Sequence, residues 1–158
     1  ALKLQPMQYD PRDPVVERLV YEAIALDMPL LFHYTDLPSA FPAWLEHLAG
    51  TFRQANFVVI HFGGIYGFQS VLPLAHFLSN VWLETSTAFI RVVASPQRAQ
   101  LQFLREGQQP RLAKLIFGSE HPSDYDAVFG AIDALTEGLS AEVVQAICRG
   151  NAARLLKL

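Results

Sequence analysis

Five short apolar runs punctuate the sequence, each followed by a stretch with helical signals: Leu2 to Gln5, Pro29 to His33, Phe57 to His61, Asn80 to Thr85 and Leu115 to Gly118. Short runs that are apolar throughout fit strands buried on both faces, as in a parallel sheet. Strands separated by helical segments are joined by crossovers, so the pattern predicts an α/β fold. The first crossover carries the clearest helix start. Asp13 is placed to cap, Pro14 fills the first helical position, and Val16, Leu19, Val20, Ala23 and Ile24 fall on one face. Ser95-Pro96 repeats that start ahead of Leu101 and Leu104, and Ser123 is placed to cap a helix covering Val128, Ile132 and Leu135. A last helical stretch follows Ser140 through Val143, Val144 and Ile147, with Asn151 to Leu156 as a closing segment.

Composition places all of this in a single domain, residues 1–158. The chain is 51% apolar and 17% charged with a net charge of -3, which excludes disorder, and no basic stripe marks a nucleic-acid partner. Its one cysteine, Cys148, cannot form an internal disulfide. No Lys, Arg, Asp or Glu occurs from Phe57 to Leu83, yet His61, Gln69, His76 and Asn80 in that stretch would be stranded in lipid, so it is not read as a membrane span. The chain opens on Ala-Leu-Lys-Leu-Gln-Pro, without Met and without the basic patch and apolar run of a signal peptide. The expectation is a cytoplasmic protein and a fragment or processed product of a longer one.

The polar residues sit at strand ends. Lys3 and Gln5, then His33, then His61, then Glu84 with Thr85 and Ser86, then Glu120 each close an apolar run. In parallel α/β folds the carboxyl ends of the strands share one face, and sites are built there. A histidine closing a buried strand can simply bond a backbone carbonyl; two at matching positions of successive units favour a site. Glu84, beside Trp82 within a strand, is read as structural. His47 and His76 fall inside helical segments and are read as surface or boundary residues. His121, before Pro122, either lines the site mouth or fills the loop. The glycines of His61-Phe62-Gly63-Gly64 form no complete phosphate-binding fingerprint and are read as permitting a tight turn.

Taken in order, Lys3-Leu4-Gln5-Pro6, Pro29-Leu30-Leu31-Phe32-His33, Val58-Val59-Ile60-His61-Phe62-Gly63-Gly64, Asn80-Val81-Trp82-Leu83-Glu84-Thr85-Ser86, Ile116-Phe117-Gly118-Ser119-Glu120-His121-Pro122 and Asn151-Ala152-Ala153-Arg154-Leu155-Leu156 resemble the amidohydrolase-related family of metal-dependent hydrolases and decarboxylases. That family folds as a (β/α)8 TIM barrel, and these segments resemble its strands four to eight. A whole barrel takes about 250 residues, so the resemblance implies a partial barrel. The family's first-strand His-x-His motif is absent from this sequence.

By position, the resemblance implies His33 as a metal ligand, His61 as a metal ligand or proton carrier, and Glu120 in place of the family's usual metal-linked Asp. One added methylene moves that carboxylate by about an ångström, against a tolerance of about 0.5 Å in a working site. Lys3 lies on the strand that supplies a bridging lysine in binuclear relatives. The implied cofactor is a divalent metal, zinc first. It would lower the pKa of a bound water from about 15.7 towards 7 for hydrolysis, or polarise a carboxylated substrate for decarboxylation. Lys3, Tyr34, Ser86 and His121 are the substrate-binding candidates, and Tyr34, Phe62, Tyr66 and Phe89 suit a flat or aromatic small molecule.

Two alternatives stand beside this reading: a self-contained open parallel sheet with helices on both faces, and a non-catalytic remnant acting as a ligand-binding or interaction module. A partial barrel also implies open edges at the Leu2 and Leu115 strands and exposed apolar surface from Leu31, Val59 and Leu83. The expected partner is a missing amino-terminal half or a second copy, with neither nucleic acid nor membrane involved.

Overall fold

The computed structural model describes residues 1–4, 10, 12–33, 41–101 and 114–158. Five strands, β1 (Leu2–Leu4), β2 (Leu30–His33), β3 (Phe57–Ile60), β4 (Val81–Glu84) and β5 (Leu115–Ile116), form one sheet in the order β1-β2-β3-β4-β5, with every neighbouring pair parallel. The sequential order is the arrangement of barrel strands and lacks the reversal of a doubly wound sheet. Between them lie α1 (Pro14–Ala25), α2 (Phe41–Thr51), α3 (Phe68–Phe77) and α4 (Thr87–Val93). After β5 come α5 (Tyr125–Thr136) and α6 (Ala141–Gln145), then a π-helical turn, Ala146–Gly150, running into α7 (Asn151–Leu156). Gln5 and Leu104 lie outside the described residues.

Local chemistry explains the helix starts. Asp13 caps α1, its carboxylate accepting the Val15 N–H at 2.9 Å with Pro14 in the first turn, and Val16, Val20 and Ala23 are buried. Ser123 caps no helix. The chain enters α5 through a 3-10 turn, Pro122–Asp124, whose cap is His121: its Nδ1 accepts the Ser123 N–H at 3.2 Å. Ser95-Pro96 opens a 3-10 segment, Pro96–Leu101, that buries Leu101.

The period of two in each strand sorts side chains onto two faces. Leu30, Phe32, Phe57, Val59, Val81, Leu83 and Leu115 turn towards the helices and join the main core with Leu45, Leu48, Phe68, Val92 and Ile132. Each large apolar side chain fully buried there contributes roughly 1.5–3 kcal/mol. On the other face, Val58, Ile60, Trp82 and Ile116 form a second cluster, with Leu31 and with Ala152 and Leu155 of α7 packed against it. Lys114 lies 4.4 Å and Arg154 5.7 Å from the centre of the Trp82 ring. The expected exposure of Val59 and Leu83 is thus corrected: both face the helices, and of the three residues only Leu31 lies on the opposite face, half-buried. The β5 edge is likewise closed by this chain. Phe117 N–H donates to the Ile147 carbonyl at 3.0 Å, and the fully buried Asn151 amide donates to the Leu115 carbonyl at 2.6 Å.

Asn80 ties the crossovers to the sheet. Its buried amide nitrogen lies 3.1, 3.1 and 3.0 Å from the carbonyls of Ala49, Phe52 and Ala55, gathering the end of α2 and the turn before β3. Removing the amide strands buried acceptors, at a cost of roughly 1–3 kcal/mol each. Asn80→Ala is therefore expected to lower unfolding free energy by about 2–4 kcal/mol in urea melts; a loss within error of wild type would mean that water replaces these bonds.

Candidate active site

The carboxyl ends of β2, β3, β4 and β5 bring His33, His61, Glu84 and Glu120 to one end of the sheet. His33 closes β2, and its ring meets that of His61 edge-on, centroids 4.7 Å apart at 68°. His61 follows β3 in a left-handed turn: φ is +57° at His61, +54° at Phe62 and +79° at both Gly63 and Gly64, closed by the Gly64 N–H donating to the His61 carbonyl at 2.8 Å. Left-handed backbone costs roughly 1–2 kcal/mol at each non-glycine residue, so something must hold His61 and Phe62 there. Phe62 is held by packing. It is fully buried, stacked on Phe68 at 6.0 Å and edge-on to Phe89 at 5.1 Å, and a Cβ at Gly63 would overlap Val71. Phe62 and Phe89 are thus core residues and offer no surface to a flat ligand; Tyr66 is exposed.

His61 is held by Glu84. The carboxylate of Glu84 accepts the His61 backbone N–H at 2.8 Å. On its other side it packs so closely on Gly118 that a Cβ built there would stand 2.8 Å from Glu84 Cγ and overlap the carboxylate itself. Ser86, fully buried, lies with Oγ 2.8 Å from His61 Nδ1. The same nitrogen is 3.5 Å from Glu120 Oε2, and that oxygen accepts the Thr87 hydroxyl at 2.8 Å. Glu120 too has left-handed backbone, φ +60°.

Burial, first, and then the charge on Lys3 hold the His33 imidazole below its usual value, while Glu120 opposes them. His61 is also lowered, by burial first; Glu120 pulls against this, and His33 and Lys3 add to it. Both rings are therefore neutral at neutral pH, able to accept a proton or donate a lone pair. Burial, as the dominant cause, pushes Glu84 up to about 7.

The remaining sequence candidates fall in different places. Lys3, on β1, acts on both imidazoles through its charge. His121 is exposed, and its Nδ1 is engaged by Ser123, at 2.8 Å from the hydroxyl and 3.2 Å from the N–H. Tyr34 lies outside the described residues. His47 and His76 are exposed on α2 and α3, His47 3.9 Å from Glu17. Sequence reading gave Glu84 a structural part without its link to His61, and missed Thr87. The signal for both was their place at the end of the β4 run.

Two imidazoles and carboxylates are the donor types zinc takes. Their placement falls short: among the described residues no group of three or more His, Cys, Asp or Glu is arranged to hold one ion. Glu84 is turned beneath the His61 backbone, and Glu120 lies against His61 Nδ1 and Thr87. The described residues by themselves therefore do not fit a closed metal centre.

Because Glu84 has a folded-state pKa above its unfolded one, the folded protein binds the extra proton, and stability contributed below pH 4.5 is lost as pH rises through about 7. Glu84→Gln keeps an oxygen for the His61 N–H and removes the charge. In thermal melts with chelator present, its stability relative to wild type is expected to grow between pH 5 and 8, by a difference on the order of 3 kcal/mol; parallel pH profiles would contradict a buried, titrating Glu84.

The family model described as Amidohydrolase matches residues 1–158. No curated protein matches the sequence. Among solved structures, an amidohydrolase from Burkholderia multivorans with bound zinc superposes with a TM-score of 0.73 at 18% identity, covering 99% of this chain and 63% of that one. A putative 2-pyrone-4,6-dicarboxylic acid hydrolase from Pseudomonas putida gives 0.66 at 21% identity, covering 98% and 62%. An uncharacterised TIM-barrel protein from Bordetella bronchiseptica gives 0.71 at 18%, covering 94% and 52%. The chain thus spans between half and two thirds of the length of these structures, and the likeness is one of fold: a five-stranded part of a TIM barrel. No helix among the described residues is long and apolar enough to cross a membrane. With the profile matched along its whole length and the barrel strands in sequential order, the chain belongs to the amidohydrolase family.

Proposed function

We propose that this chain carries part of the active site of a metal-dependent hydrolase acting on a small carboxylated substrate, with His61 as the group that moves the proton. The observation that supports it is the convergence of His33, His61 and Glu120 from the ends of β2, β3 and β5, where neutral His61 stands 3.5 Å from Glu120 and edge-on to His33. Burial holds the His61 imidazole below its ordinary value, so at neutral pH it is free to accept a proton. Lys3 supplies a positive charge at the same end and suits an anionic substrate, in keeping with the dicarboxylic acid in the name of the Pseudomonas neighbour. Tyr34 and His121 remain candidates for the rim. Ser86 serves His61 in this reading.

Zinc is the first candidate for the metal, since imidazoles are among its ordinary ligands and one neighbour holds it. His33, the imidazole with its charge held off by burial, is the residue proposed to ligate it, His61 and Glu120 standing beside it. The described donors do not close around an ion, so we propose that the other ligands come from chain outside the described residues: an amino-terminal half of the barrel, or a second copy. The β1 edge, with β2 on one side, is where such a strand would add.

Zinc analysis of the purified chain tests this reading. The chain is expected to hold zinc weakly, in stoichiometric amount at saturating zinc, and to lose it in His33→Ala. No bound zinc in wild type, together with unchanged melting in His33→Ala, would overturn the metal-hydrolase reading in favour of a non-catalytic binding module.

A further inference from the structure

The four residues that end β4 and begin α4 each hold a different part of the site. Glu84 accepts the His61 N–H at 2.8 Å, and Ser86 Oγ lies 2.8 Å from His61 Nδ1. Thr85 Oγ1 accepts the Gly118 N–H at 3.2 Å and lies 3.4 Å from the Gly118 carbonyl, and Thr87 donates to Glu120 Oε2 at 2.8 Å. The partners alternate: Glu84 and Ser86 reach the end of β3, whereas Thr85 and Thr87 reach the segment after β5.

Proton inventory sets the direction of these bonds. A serine hydroxyl has one proton and an ionised carboxylate only accepts. Ser86 Oγ, 2.8 Å from His61 Nδ1, can either donate or accept. Glu120 Oε2, 3.5 Å from the same nitrogen, is an acceptor that calls for a proton on Nδ1, and Ser86 Oγ is then free to accept as well. Nδ1–H satisfies both neighbours and leaves the lone pair on Nε2. Among the described residues, Nδ1 makes the hydrogen bond of this ring and Nε2 makes none.

We propose that Glu84-Thr85-Ser86-Thr87 is a positioning segment that fixes His61 as the Nδ1–H tautomer, so that Nε2 is the atom that takes up and delivers the proton. Ser86 acts on the ring directly; Thr87 acts through Glu120. The catalytic use of Nε2 rests on the proposed role of His61 as proton carrier, whereas the tautomer itself does not.

Long-range proton–nitrogen NMR of the full 158-residue chain, labelled with nitrogen-15 at histidine and held in chelator at about pH 8.5, where imidazoles are neutral, reads the tautomer directly. His61→Gln assigns the signals. Wild type is expected to show the Nδ1–H form, although histidine in water favours Nε2–H. Ser86→Ala is expected to give a several-fold loss of the Nδ1–H population, Thr87→Val a smaller loss, and Thr87→Ser to restore it, each with the amide spectrum of a folded chain. An Nε2–H ring in wild type overturns the proposal without recourse to any variant, as does an unchanged tautomer in folded Ser86→Ala. The readout needs neither metal nor substrate. Absence of zinc binding would therefore sink the hydrolase reading alone, while a zinc-binding chain with Nε2–H at His61 would sink this assignment alone.

Discussion

The bond from the His61 N–H to the Glu84 carboxylate joins the ends of two strands at a point where both groups pay heavily to be present. His61 sits in left-handed backbone, and Glu84 is buried where burial alone favours its neutral form. A buried carboxylate without donors is untenable, and a left-handed histidine without a tether would relax. Each offsets the other. The 2.8 Å contact supplies Glu84 with a donor and pins the residue whose ring defines the site. Gly118 completes the arrangement, because the carboxylate occupies the space its side chain would need.

Rigidity in this region comes from the core behind it. Phe62, the second left-handed residue, is locked among Phe68 and Phe89, so the turn that aims His61 outward is anchored on the helix side of the sheet. The opposite face is closed by α7 through Ala152 and Leu155, and the β5 edge by Ile147 and Asn151. The carboxyl-terminal segment thus does for β5 what a neighbouring strand does elsewhere in the sheet: it satisfies backbone groups that would otherwise meet water.

Much of the fold was legible because parallel strands announce themselves twice, in apolar runs and in the helix starts between them. Val58 to His61 and Asp13-Pro14 are the clearest examples, and the resemblance to an amidohydrolase barrel followed from the order of such segments. What failed depended on pairing and facing. Val59 and Leu83 are as apolar as Leu31, and only the register of the sheet assigns them to the helix side. The capping role of His121 was hidden because Ser123 is the more usual cap. At the site, His33, His61 and Glu120 could be placed at strand ends from the sequence alone. Glu84 could not be seen as the tether of His61, because a backbone N–H has no sequence signature.

Amide hydrogen exchange at His61 in the metal-free chain tests that tether most directly. If the Glu84 bond holds the left-handed turn, the His61 amide exchanges as slowly as the buried amides of β3, such as Val59. Exchange at the rate of an exposed loop amide would contradict it, and with it the account of how this chain builds its site.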